Sequence, residues 1–397
     1  MTNRSRIVHS VPRSRGKPLA CDVSISRQGD GSIGGTPCFF ELQPGGIRDY
    51  NHDFIGLMNQ VREEINRNQQ QGKTGEEVLH LPSARCGAIL SDLREAGIGA
   101  YVALGEQAMG ALDKYEARDT QGKGLKVTVR TDAYPLLWEF VYTGSMREAV
   151  NPRLFWGYRH QLARYLMGTD HAVSELDLQG KFLFCRHHQL PHWQHEHHAL
   201  AQHLAARLEF VALDDYLDVL EAEMMALELD HRVIAACTHG VFNYVHMASH
   251  LYAAEADNSV LGARLALSYR TTLVQITLRT LNAARRDWGF QRSPLVFLNA
   301  CKTMTNPEHL TQGESFPRSF LRLGAGGVVA TACDMPDVFA VAFADKFYDI
   351  LFNHPNGEAE VSDALRLTRQ YFMDEYNNPL GLAYGLYAHN DLTVYQE

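Results

Sequence analysis

The last third of the chain constrains the fold most. There PLVFLNA (294–300), ESFPRSFLRL (314–323), GGVVATA (326–332) and the stretch from Asp337 to Ile350 alternate an apolar run with a helical pattern. Each run is short, continuous and closed by turn residues, as a strand buried on both faces is. Such alternation predicts a mostly parallel sheet with helices on both faces. Pro317 fits its helix only in the first turn. Asp337 reads as a helix N-cap, and a further helix covers 361–376. In sheets of this kind the reactive groups gather at the carboxyl ends of the strands.

Upstream the signals are more varied. Residues 20–43 read as a hairpin around a Gly-rich turn. Phe54, Ile55, Met58, Val61 and Ile65 fall at helical spacing, and helical stretches surround Ile89–Leu93 and 107–114. LKVTVRT (125–131) alternates like a strand, and YPLLWEFVY (134–142) reads as a buried segment. Residues 154–167 look helical and KFLFCR (181–186) a strand. Residues 196–208 and 214–229 read as helices, the second with Asp214 or Asp215 as N-cap. RVIAAC (232–237) reads as a buried strand that stops at Thr238-His239-Gly240. FNYVHMASHLYAAEA (242–256) is open between strand and helix, and 260–286 reads as one long helix or two.

The chain has 397 residues and a net charge of −9, with no general surplus of cations for nucleic-acid phosphates. No apolar stretch reaches the length of a membrane span. The basic N-terminus lacks the apolar core of a signal peptide, and 1–16 reads as a flexible tail. The seven cysteines are scattered without a CxxC pair. That pattern predicts reduced thiols and a cytoplasmic protein rather than a disulfide framework or a Cys-rich zinc site.

Two apolar runs end in a chemically capable residue, RVIAACTHG at His239-Gly240 and LVFLNACKT at Cys301. Read as neighbouring parallel strands, they bring a thiol and an imidazole to one edge of the sheet. That pairing suits nucleophilic catalysis. The thiolate is the reactive form, and an imidazole beside it raises the thiolate fraction and protonates a leaving group. His250, in HMASHLY, is the competing histidine. His239 is preferred because it ends the clearer run and precedes a glycine. A single cysteine is otherwise a small core hydrophobe, and Cys237 is read as one.

The sequence from about 125 to 397 resembles the CHAT family, caspase-like cysteine proteases. The resemblance rests on Cys237-Thr238-His239-Gly240 and Ala300-Cys301-Lys302-Thr303. It extends to SFPRSFLRLGAGGVVAT, DMPDVFAVAFADKFYDIL, DALRLTRQ, NPLGLAYGLY and the Trp-Glu pair of YPLLWEFVYTG, which here stands two residues farther from its proline. Lys302 departs from the pattern, since many relatives are acidic there.

What the resemblance implies is a caspase-like α/β fold (125–397) preceded by a non-catalytic α/β region (17–124). It implies a cysteine endopeptidase with Cys301 as nucleophile and His239 as its partner. The backbone N–H groups of Gly240 and Cys301 would form the oxyanion hole, and Asp334 is a substrate-pocket candidate. The chemistry calls for no metal and no organic cofactor. The substrate would be a protein. Such proteases are often bacterial effectors, for instance in defence against phage, switched on by a regulatory partner. The alternative is a module that keeps the fold without the activity. The histidine-rich stretch RHHQLPHWQHEHHALAQH (186–203) lacks the HExxH spacing of a zinc helix and reads as a solvated loop and helix start.

Overall fold

The computed structural model describes the chain apart from residues 1–18, 27, 121, 132–135, 167–174, 178–179, 205–206, 221, 253–262, 301–314, 354–357 and 396–397. In chain order its strands are β1 (Leu19–Ile25), β2 (Asp30–Ile33), β3 (Thr36–Phe39), β4 (Leu125–Thr131), β5 (Gln161–Leu166), β6 (Glu175–Asp177), β7 (Gly180–Arg186) and β8 (Leu208–Ala212). They continue with β9 (Phe242–Tyr252), β10 (Arg264–Tyr269), β11 (Thr272–Thr277), β12 (Leu295–Ala300), β13 (Gly327–Thr331), β14 (Glu358–Glu360), β15 (Tyr384–Ala388) and β16 (Thr393–Tyr395).

Thirteen of these strands form one sheet, in the order β11-β10-β9-β12-β13-β15-β5-β4-β1-β2-β3, with β7 beside β9 and β8 beside β7. The pairs β7/β8, β7/β9, β9/β12, β12/β13, β15/β5, β4/β5 and β1/β4 are parallel. The fold is thus mixed α/β with a mostly parallel sheet. The N-terminal strands are not a separate layer: β1 pairs in parallel along all of β4, and β4 along β5.

The sheet is mainly apolar where it is covered. Helices Trp193–Leu204 and Asp337–Phe352 pack on one another over the face that carries Phe184, His246 and Phe297, whose rings stack. Helices Leu229–His239, Leu278–Ala284 and Phe316–Arg322 pack together on the other side. Pro317 does lie in the first turn of its helix, where Ser315 caps by accepting from the Arg318 N–H. Helix Pro44–Gln70 buries Phe54, Met58, Val61 and Ile65 completely.

Several elements differ from the sequence reading. RVIAAC is not a strand but part of helix Leu229–His239, in which every residue from Val233 to Thr238 is buried. A helix enclosed on all sides shows a continuous apolar run, the same signal as an interior strand. Residues 264–277 are the hairpin β10–β11, whose turn carries Arg270 at φ 53 in the left-handed region. Residues 161–166 are β5, not helix, and 208–212 are β8. Asp214 and Asp215 lie inside the first turn of a short helix rather than capping it. Asp337 is likewise inside its helix, and its Oδ2 accepts from the His192 N–H at 2.7 Å.

Candidate active site

β9 and β12 run parallel with Leu295 beside Tyr244 and Ala300 beside Ser249. Over its first part β9 is paired on the other side with β7, as far as Arg186 beside Ala248. Beyond that point it leaves β7 and pairs with β10, with His250 beside Ala266. The carboxyl end of β12 therefore lies beside a segment of β9 held from its far side by a hairpin.

Cys301 lies outside the described residues. It follows Ala300 in the chain, and His250 follows Ser249. His239 is at the other end. It closes the helix that leads into β9, and it is exposed. From Phe242 to Ser249 the strand advances roughly 23 Å at about 3.3 Å per residue. His239 thus stands at the amino end of the sheet, while Ala300, which precedes Cys301 in the chain, closes β12 at the carboxyl end.

Gly240 stands beside His239 as the cap of that helix. Its N–H is directed to the Ala236 carbonyl at 3.3 Å, as the end of the helix, and its φ of −66 is open to any residue. What demands glycine there is packing. A Cβ on Gly240 would lie 1.8 Å from a ring carbon of Phe242.

Asp334 is on the expected edge. It comes three residues after Thr331, the last residue of β13, which is the parallel neighbour of β12. Its Oδ2 accepts from Arg62 Nη1 at 2.9 Å, with both side chains about a third exposed. Arg62 is contributed by helix Pro44–Gln70 of the N-terminal region.

Sequence reasoning missed the polar cluster beneath the ends of β9 and β12. Glu196 Oε1 accepts from His246 Nε2 at 2.8 Å and from Asn299 Nδ2 at 2.6 Å. In the tautomer that donates from Nε2, His246 Nδ1 accepts from the Tyr348 hydroxyl at 3.3 Å. Burial raises the Tyr348 phenol well above its ordinary value, so that proton stays. Asn299 also donates to the Ala340 carbonyl and accepts from the Tyr384 hydroxyl at 2.8 Å. Glu196 and His246 are almost wholly buried, and Asn299 is only 5% exposed. Buried polar groups that satisfy one another in this way fix the relative position of the elements bearing them. Here they lock β9, β12, β15 and two helices together just short of the carboxyl edge. The available signal was a polar residue, Asn299, inside an otherwise apolar run.

Part of the histidine-rich stretch is structural in the same sense, while His195 and His198 are exposed. Glu196 is buried in the cluster, and His197 packs edge-on against Phe184, Phe210 and Trp193. Burial, then the neighbouring Arg186 charge, holds the His197 imidazole below its usual range. His188 Nδ1 meets Ser268 Oγ at 2.7 Å, and His203 pairs with Asp345 at 3.0 Å. Among the described residues no group of three His, Cys, Asp or Glu side chains is placed to hold a metal ion. Six of the seven cysteines are described, and all six are buried free thiols. Among the described residues no helix is long and apolar enough to cross a membrane.

A second buried cluster explains the glutamate of the Trp-Glu pair. Glu139 is fully buried and takes a two-pronged contact from Arg164 on β5, with Nη1 to Oε1 at 2.7 Å and Nη2 to Oε2. Arg369 also approaches Glu139 Oε1 at 3.4 Å while donating to the carbonyls of Gly157 and Tyr384.

The chain is similar to several known proteins. Residues 132–384 match the model of the CHAT domain, a caspase-like cysteine protease family. A curated protein described as a probable protease, from Vitiosangium sp., is 27% identical over 261 residues, which is 62% of this chain and 31% of that protein. The chain thus spans about a third of the length of that relative. Among solved structures, a chain of the Saccharomyces cerevisiae separase–securin complex aligns with a TM-score of 0.42 at 11% identity, over 90% of this chain and 24% of that one. A structure described simply as a protease aligns with a TM-score of 0.40 at 8% identity, over 78% of this chain and 68% of that one.

Proposed function

Because the chain belongs to the CHAT domain family, we propose that it is a cysteine endopeptidase in which Cys301 is the nucleophile and His250 its proton-transfer partner. One observation carries this choice of residues: the register that sets Ala300 beside Ser249, which Cys301 and His250 follow in the chain. The buried Glu196–His246–Asn299 cluster supports it by holding the two strands rigidly at that level.

The chemistry follows the usual course for a thiol and an imidazole. The Cys301 thiolate attacks the scissile carbonyl, forming a C–S bond as the C–N bond breaks. His250 delivers the proton to the leaving amine and then draws one from the water that hydrolyses the thioester. The backbone N–H of Cys301 contributes to holding the oxyanion. The protein substrate presents an extended loop. The reading includes an effector role in bacterial defence, in the cytoplasm, with a partner chain or signal that turns the protease on.

The test is labelling by a thiol-reactive peptide electrophile, with and without lysate from the source cells as a supply of activator. Labelling should disappear in Cys301→Ala and in His250→Ala and persist in His239→Ala. Labelling that survives Cys301→Ala would sink the assignment. Mapping cleavage sites in cells that express wild type or Cys301→Ala then identifies the substrate.

A further inference from the structure

The Arg62–Asp334 pair joins the N-terminal helix to the edge at which β12 and β13 end. Thr331 and Ala300 end neighbouring parallel strands, and such strands lie ~4.8 Å apart. Their ends are level: Tyr384, which pairs with Thr331, reaches Asn299 Oδ1 with its hydroxyl. Asp334 follows Thr331 by three residues, at most ~10 Å of chain. A substrate side chain next to the scissile bond, extending toward β13, can therefore meet a carboxylate.

In this structure a guanidinium already meets it. Arg62 Nη1 donates to Asp334 Oδ2, and Arg62 Nε is buried with no partner among the described residues. Arg62 belongs to residues 1–131, outside the segment that matches the family model. The contact is thus one arginine of an added region placed on an acidic residue at the edge of the protease sheet.

We propose that Asp334 selects a lysine or arginine immediately before the cleaved bond, and that Arg62 occupies the place of that side chain in the free protein. The proposal rests on the protease reading above. It makes Asp334 a specificity-determining residue and Arg62 an intramolecular competitor. Because both side chains are about a third exposed, the competition is mild, no more than about fivefold. A mild competitor keeps the carboxylate oriented and yields to a substrate that also gains contacts along its backbone.

The experiment uses the full chain carrying Cys301→Ala, so that binding is read without turnover. Capped tripeptides ending in arginine, leucine or glutamate are titrated by calorimetry at low salt. The arginine peptide should bind at least tenfold more tightly than the other two. Adding Asp334→Asn should bring it down to the leucine level. Adding Arg62→Ala should tighten it about threefold, and Arg62→Lys should leave it near the starting value. An arginine preference that survives Asp334→Asn, or an affinity indifferent to Arg62→Ala, overturns the proposal, as does the absence of any arginine preference. Cleavage by the chain with Cys301 intact is scored separately. Binding as expected without Cys301-dependent cleavage rejects the protease and keeps the pocket. Cys301-dependent cleavage after uncharged residues does the reverse.

Discussion

At its amino end β9 follows a helix that closes on Thr238, His239 and Gly240. At its carboxyl end it drops β7, takes up β10 and runs beside the last residue of β12. The first end carries the sequence that looks most like a reactive motif, a histidine followed by glycine. Beside the second end runs β12, whose last residue, Ala300, precedes Cys301 in the chain. The glycine is explained by the ring of Phe242, and the histidine is an exposed residue where a helix dipole favours it. A short motif marks residue types, whereas chemistry depends on which end of a strand they occupy.

The sharpest way to break this contrast is to exchange the two histidines for alanine. His250→Ala should lower kcat/KM by roughly 10²–10⁴, the usual contribution of a positioned acid or base. His239→Ala should stay within about twofold on a peptide assay. Equal losses would erase the distinction between the two ends.

Stability separates them next. Glu196→Ala leaves His246 and Asn299 without their shared acceptor beneath the carboxyl end, at a cost of about 3 kcal/mol in urea unfolding. Activity should fall with it, because the strands lose their common anchor. At the amino end, Gly240→Ala forces the Phe242 ring aside and should cost about 2 kcal/mol. There the activity per folded molecule should be unchanged.

A smaller effect belongs to neither end and serves as a control. His160 Nδ1 accepts from the Leu125 N–H at 2.9 Å where β4 begins, and Nε2 faces Glu116. Burial pushes the imidazole below its ordinary value, against the pull of Glu116. A histidine held neutral in the fold binds fewer protons there than in the unfolded chain. Its contribution is therefore complete above pH ~6.5 and lost as the pH falls below it, by up to about 1.4 kcal/mol per pH unit. Thermal melts from pH 7.5 to 5.5 should show this loss, and His160→Gln should flatten it.

Much of the sheet was readable in the sequence. β7, β12 and β13 are short apolar runs between turn residues, β4 alternates, and helix Val361–Tyr376 shows its stripe. The failures share a physical cause. From Val233 to Thr238 helix Leu229–His239 is enclosed by neighbours, so over that span the exposed face that would have given a helical period does not exist. The β10–β11 turn is made by Arg270 and Thr271, with no glycine or asparagine to announce it. Of the site, the edge that bears Asp334 was legible from strand order alone. The choice between His239 and His250 depended on register, which local pattern does not carry. Glu196 looked like a solvated residue among histidines, because nothing in a helix's own sequence says which carboxylate a neighbouring strand will cover.

The family match begins at residue 132, directly after β4, yet the sheet does not pause there. β5 has β4 along its whole length on one side, and β4 has β1. A chain trimmed to the matched segment would present β5 as a raw edge, with a row of unpaired amides and carbonyls open to any other strand. Such a fragment should come out of cells as inclusion bodies or oligomers. Whoever expresses this CHAT domain should keep the residues before it, for they are its selvedge.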